Sequence, residues 1–328
     1  MDLIYHRLCA SVILATFRPL EVEEDMVARR NLLVGLGASG LGLAAGGGRE
    51  GLALINRASC ETPRIITNPD RLLADLERDA GGRLGVAVYD LQTRRRYSHR
   101  GQERFPMCST FKLVAAAAVL ARVDKGQEDL GRRIVYDPSV LKPYSPVTKA
   151  QVGPPGMTVA DLCAAAVTVS DNTAGNLILE AVGGPQGLTA WVRSLGDKTT
   201  RLDRWEVELN TAVPGDVRDT TSPDAMLYLV EKLTLENALS TTSRDRLVGW
   251  MVANTTGDHR LRAGLPAGWR VGDKTGSGDN RTTNDVAVIW PPGRKPLIIS
   301  AYLTEGPAGN DARNAVLASV ARIVAGTL

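Results

Sequence analysis

The sequence predicts an α+β fold: an antiparallel sheet flanked by N- and C-terminal helices, an all-α lobe inserted into it, and a cleft between the two. Three observations lead there. β-rich runs gather at both ends of the globular region, whereas helical patterns fill its middle. The length of 328 residues suits about two lobes. The composition, 44% hydrophobic and 23% charged, is that of a soluble globular chain able to bury a core without disulfide staples.

The elements follow in order. Asn68-Pro69-Asp70 opens a helix with an N-cap, proline in the first turn and an early acidic residue, and Gly81-Gly82 stops it. Leu84 to Leu91 is a strand, with Arg95 to His99 as its hairpin partner. Ser109 to Val123 is apolar on all sides, which predicts a helix running through the protein's interior. Thr158-Val159-Ala160-Asp161 approximates a capping box for a helix to about Val169, and Asn172 to Val182 forms another, ended by Gly183-Gly184. Residues 199–221 are irregular and polar. Ser222 to Leu239 and Ser243 to Ala253 read as helices. Val271 to Ser277, Val286 to Trp290 and Leu297 to Leu303 read as strands, and Asp311 to Val324 as a closing helix. These patterns divide the chain into a lead-in over 1–60 and a globular domain over 61–328. Within the latter, an α/β lobe takes 61–100 and 255–328, and the helical lobe takes about 101–254.

Lys and Arg total 39 against 36 Asp and Glu, and the +3 excess is scattered, so a nucleic-acid partner is not expected. Three histidines and four cysteines without a CxxC pair argue against a metal site or a redox dithiol, and no cofactor is expected. Arg29-Arg30 ahead of a short Gly- and Ala-rich apolar run resembles a twin-arginine export signal, with Met26 an alternative start. That run is about half the ~20 residues a membrane-spanning helix needs. The expectation is therefore an exported, periplasmic or secreted protein, monomeric and without a membrane span once mature. Gly35-Leu36-Gly37-Ala38-Ser39-Gly40 matches a dinucleotide fingerprint but lacks the acidic residue and βαβ context. Ala58-Ser59-Cys60 has Arg57 where a lipoprotein signal would carry an aliphatic residue, which argues against a lipid anchor at Cys60.

Ser-x-x-Lys occurs twice, as Ser109-Thr110-Phe111-Lys112 and Ser139-Val140-Leu141-Lys142. The spacing is useful only on a helix, where it puts both side chains on one face. Ser139 lies between prolines, but Ser109 opens the apolar helix, where a helix N-terminus favours developing negative charge. A desolvated Lys112 could serve as a base. Ser170-Asp171-Asn172 lies between two helices, Lys274-Thr275-Gly276 on a strand, and Glu206 and Asn210 in the irregular segment, spaced to share a helical turn and hold a water. Taken singly, the serine–lysine pair reads better as a cap and a snorkelling side chain, Ser170-Asp171-Asn172 better as a capped loop, Lys274-Thr275-Gly276 equally well as a strand-end turn, and the Glu206 segment also as a solvated acidic turn.

Together and in this order they resemble the class A serine β-lactamases, over about residues 68–328. The resemblance includes Arg104-Phe105-Pro106-Met107-Cys108 before the serine, Gly156-Met157-Thr158 before the second motif and Pro266-Ala267-Gly268-Trp269 before the third. It implies hydrolysis of the β-lactam ring of penicillins and cephalosporins, conferring antibiotic resistance. Ser109 would be the nucleophile, with Lys112, Ser170, Glu206 and Lys274 also catalytic. Ser109's proton would pass to Lys112, or through water to Glu206. The backbone N–H groups of Ser109 and Ser277 would form an oxyanion hole. Asn172, Asn210, Thr275, Ser277, Arg260 and Tyr144 would contact substrate. The irregular segment would be an Ω loop clamped by Arg204 and Asp219.

Some positions depart from the commonest pattern. Thr282-Thr283-Asn284-Asp285 lacks an arginine that many members carry, and Arg260 resembles the alternative used by a subset, with Arg262 structural. Cys108 resembles that of some carbapenem-hydrolysing members, but Gly278 stands where they have its cysteine partner. The competing readings are a D,D-peptidase of the penicillin-binding-protein type and a penicillin-sensing domain, both expected to lack the Glu206/Asn210 pair. A Ser-His-Asp hydrolase lacks its Gly-x-Ser-x-Gly elbow.

Overall fold

In the computed structural model Asn68 caps the first helix, α1 (Pro69–Ala80), its Oδ1 accepting from the N–H groups of Asp70 and Arg71. The structure describes residues 68–328; the arginine pair, the glycine fingerprint, Cys9 and Cys60 lie outside them. β1 (Arg83–Asp90) and β2 (Arg95–His99) form the expected antiparallel hairpin. There follow β3 (Phe105–Pro106), α2 (Phe111–Asp124), β4 (Arg133–Ile134) and β5 (Met157–Thr158), then α3 (Val159–Thr168), α4 (Asn172–Ala181) and α5 (Gly184–Ser194). β6 (Thr220–Thr221), α6 (Pro223–Thr234), α7 (Thr241–Val252) and α8 (Leu261–Gly264) lead to β7 (Arg270–Gly278), β8 (Thr282–Trp290), β9 (Leu297–Thr304) and α9 (Asn310–Ala325).

β9 lies between β1 and β8, giving one five-stranded antiparallel sheet in the order β2-β1-β9-β8-β7. The two ends of the described chain thus share a sheet. The strand period of two divides its side chains between two cores. Ala287 and Ile289 of β8 and Ile299 and Leu303 of β9 pack with α1 and α9. Val286, Val288, Ile298 and Tyr302 turn to the other face and join the large core built around α2. Phe111 to Ala121 of α2 is buried without interruption, as expected of a helix with no polar face.

Several details differ from the sequence reading; α8 is an added helix, and β8 begins at Thr282 rather than Val286. The α-helix starts at Phe111, because Cys108–Thr110 forms a 3₁₀ turn and Cys108 takes φ +46°. α5 is absent from the expected elements: Gly184-Pro185-Gln186-Gly187 reads as loop, and its apolar stripe is short. α6 stops at Thr234 and α7 begins at Thr241, capped by Ser240. Two small ribbons, β3 with β6 and β4 with β5, are too short to leave a periodic signal.

Candidate active site

The 3₁₀ turn that presents Ser109 is pinned at Met107, whose carbonyl accepts from Thr110 Oγ1 (2.8 Å) and Thr110 N (3.2 Å). One turn on, Lys112 is fully buried. Its Nζ lies 2.9 Å from Ser109 Oγ, 2.9 Å from the Ser170 carbonyl, 2.5 Å from Asn172 Oδ1 and 2.9 Å from Glu206 Oε1. The lysine stem crosses α4 at Gly175, where a Cβ would stand 2.7 Å from Lys112 Cε. Burial lowers the Lys112 pKa, and the Glu206 carboxylate offsets part of that effect. The duplicate motif plays no part here: Ser139 sits in an exposed 3₁₀ turn.

Asp171 caps α4 through the Ala174 N–H, and its carboxylate accepts from the N–H groups of Val147 and Thr148. This fixes the loop that carries Tyr144, which is 62% exposed on the rim. Ser170, held at φ +59°, directs Oγ to Lys274 Nζ at 3.0 Å and lies 3.4 Å from Lys112 Nζ. Lys274 is fully buried on β7, and burial followed by the nearby Lys112 holds its pKa well below the ordinary lysine value. Thr275 Oγ1 pairs with Thr256 Oγ1 at 2.5 Å.

Glu206 and Asn210 meet, but not on the expected helical turn. A turn with a cis Glu206-Val207 peptide precedes the 3₁₀ turn Glu208–Asn210. Asn210 Nδ2 donates directly to Glu206 Oε2 at 2.5 Å, and Ser109 Oγ donates to Glu206 Oε1 at 3.2 Å. Arg204 Nε donates to Asp219 Oδ2 at 2.6 Å and closes the base of the segment. Asn176 also holds it: its Oδ1 accepts from Glu206 N (2.9 Å) and its Nδ2 donates to the Glu206 carbonyl (3.0 Å). Sequence reasoning missed Asn176, although its place four residues after Asn172 on one helix face was a usable signal.

Arg260 donates from Nη2 to Ser277 Oγ (2.7 Å) and from Nη1 to the carbonyls of Gly276 and Asn284. Arg262 instead turns inward to Asp273 and the carbonyls of Met251 and Val252. Among the described residues Cys108 is a free, buried thiol, and a Cβ at Gly278 would stand 2.6 Å from its Sγ.

Ser109, Tyr144, Ser170, Asn172, Asn210, Arg260, Thr275 and Ser277 line one cleft of about 330 Å³, together with Thr256 and Gly276. Lys112, Glu206 and Lys274 are buried behind its wall. A larger concavity, about 650 Å³, lies beside the start of α1 and β2 but is not lined by any of the motif residues, so the chemistry points to the smaller one.

A family model described as the beta-lactamase enzyme family matches residues 68–328. The chain belongs to the class A β-lactamases. Beta-lactamase AST-1 of Nocardia asteroides is 46% identical over 92% of this chain and 96% of its own length. The carbapenem-hydrolyzing beta-lactamase KPC of Klebsiella oxytoca is 50% identical over 76% of this chain and 85% of its own. A solved ancestral class A β-lactamase superposes with a TM-score of 0.78 at 62% identity, covering 80% of this chain and 100% of that one. This β-lactamase is therefore a hydrolase of β-lactam rings, an activity that confers antibiotic resistance. Among the described residues no helix is long and apolar enough to cross a membrane.

Proposed function

We propose that Ser109 Oγ attacks the β-lactam carbonyl carbon, opening the ring C–N bond and leaving an ester on the serine. The observation that carries this is the contact of one hydroxyl, Ser109 Oγ, with both Lys112 Nζ and Glu206 Oε1. Either group is near enough to take the proton released on attack. Ser170, bridging the two lysines, passes a proton to the departing ring nitrogen. The backbone N–H groups of Ser109 and Ser277 receive the developing oxyanion; one such donor is worth about 10²–10³ in turnover. Thr275, Ser277 and Arg260 take the substrate carboxylate, Asn172 its side-chain amide, and Tyr144 walls the cleft. Lys274 keeps this end of the site positive when protonated.

Glu206, oriented by Asn210, activates water to cleave the ester, and this step separates a hydrolase from a protein that traps penicillin. The substrates we infer are penicillins and cephalosporins, the classes that the motif set and the family imply. Intact mass of Glu206→Ala with a chromogenic cephalosporin tests the reading: acyl-enzyme is expected to accumulate. A variant that turns over at the parent rate with no adduct would refute the role of Glu206.

We further infer export as a monomer through the twin-arginine segment at 29–30, with residues 1–60 as lead-in and 61–328 as the catalytic domain. Cell fractionation of an Arg29→Lys, Arg30→Lys variant tests this. Retention of the enzyme in the cytoplasm is expected; undiminished export would refute it.

A further inference from the structure

Asn284 lies on β8, fully buried, directly across from Gly276 on β7. Its side chain does not end within the sheet. Nδ2 donates to the carbonyls of Pro106 (2.8 Å) and Met107 (3.1 Å), the two residues ahead of Cys108-Ser109. Two carbonyl acceptors require the NH₂ group at that position, which fixes the orientation of the amide. Oδ1 is buried with no hydrogen-bond partner among the described residues. The amide passes where Gly276 has no side chain: a Cβ there would stand 2.8 Å from the Met107 carbonyl oxygen and 3.3 Å from Asn284 Nδ2. The glycine of Lys-Thr-Gly thus leaves room for this bridge.

The bridge ends at a strained place. Cys108 holds φ +46°, a region that a residue with a side chain occupies only when its surroundings impose it. Thr110 pins Met107 from within the turn, Met107 N donates to the Asp219 carbonyl, and Asn284 adds the tie to the sheet. Asn284 also acts through its backbone. Its carbonyl, with that of Gly276, accepts from Arg260 Nη1.

We propose that Asn284 is a positioning residue for the oxyanion site. Its amide ties the turn bearing Ser109 to the strand pair bearing Ser277, and so sets the spacing between their two backbone N–H groups. The proposal rests on the reading of those groups as the oxyanion hole. Because both acylation and deacylation pass through a tetrahedral oxyanion, both steps depend on that spacing. Substrate carboxylate binding does not, since the backbone carbonyl that holds Arg260 survives any side-chain change.

The test is Asn284→Ala, with acylation and deacylation followed by stopped flow on a chromogenic cephalosporin. Rates are normalised to acylatable sites counted by intact mass, so that a loss of folded protein does not count as a loss of rate. Both rates are expected to fall about tenfold to hundredfold, with KM nearly unchanged. Affinity for phenylboronic acid, which forms a tetrahedral adduct on the serine, should weaken by a similar factor. A lower Tm with per-site rates and boronate affinity within about twofold of the parent would reduce Asn284 to a structural role and overturn the proposal. If the alanine variant does not fold, Asn284→Ser is measured instead; its hydroxyl is too short to reach both carbonyls, and the same outcomes apply. Ser109→Gly separates the two levels: turnover persisting in it would defeat the serine mechanism itself, whereas its silence alongside a fully active Asn284 variant defeats only the positioning role.

Discussion

Lys112 and Glu206 face each other at 2.9 Å with neither side chain exposed to solvent. They come from distant parts of the chain, one from a helix and the other from an irregular loop. Both reach the same oxygen, Ser109 Oγ. Burial pushes the lysine toward its neutral form while the neighbouring carboxylate favours the charged one, and burial has the larger effect.

The first expected outcome concerns this pair. Lys112→Ala should slow acylation by about 10²–10⁴, the usual contribution of a positioned base. A lowered lysine pKa keeps the neutral base available to lower pH, so acylation should fall only as pH drops through that lowered lysine pKa. That acid limb should vanish or move in the variant. Single-turnover rates against pH, compared with those of Glu206→Ala, decide which group takes the serine proton. An acid limb unchanged in Lys112→Ala would remove the lysine from that role.

A second outcome concerns the loop clamp. Asp219 is almost fully buried and accepts from Asp203 N, Arg204 N and Arg204 Nε. Asp219→Asn leaves Arg204 without its carboxylate, at a cost of about 2–3 kcal/mol, below that of a fully buried pair because Arg204 is partly solvated. Tm should drop by about 4–10 °C. The loop bears Glu206, so deacylation should slow more than acylation. Equal slowing of both steps, read by pre-steady-state kinetics, would contradict the assignment of the clamp to the water-activating side.

Arg260 supplies a cation at the mouth of the cleft. Its replacement by alanine removes a charge-assisted hydrogen bond worth about 1.5–3 kcal/mol, so kcat/KM should fall about 10- to 100-fold, mainly through KM. Lysine should restore only part of this, because it cannot bridge Ser277 Oγ and two carbonyls at once. An unchanged KM for a carboxylate-bearing cephalosporin would exclude Arg260 from substrate binding.

Stability should carry its own acid dependence. Burial alone would raise the pKa of Glu77, but hydrogen bonds from Arg100, the Leu84 N–H and His99 outweigh it and hold the carboxyl below its ordinary 4.5. A lowered carboxylate pKa contributes stability above the unfolded-state value and loses it as pH falls through the folded-state value. Glu77→Gln should therefore be destabilised at pH 7, and the Tm gap to the parent should narrow below about pH 4. A gap constant from pH 7 to pH 3 would show that the charge contributes nothing.

The α+β order, the N-terminal hairpin and the interior helix were legible because each rests on a local signal: a cap, a period of two, or a helix with no polar face. α5 and the two short ribbons were not, since their pairing is decided by neighbours rather than by their own pattern. The motif residues were likewise readable as a set, and the chain alone determined that a serine, two lysines and a carboxylate–amide pair would be present in this order. Only the tertiary structure decided that Lys112 and Glu206 touch the same hydroxyl, that Arg260 bonds to Ser277, and that Asn176 holds the glutamate loop. The reason is physical. Spacing along a chain fixes which side chains share a helix or strand face, but burial, and with it the balance between desolvation and pairing, exists only once distant segments pack together.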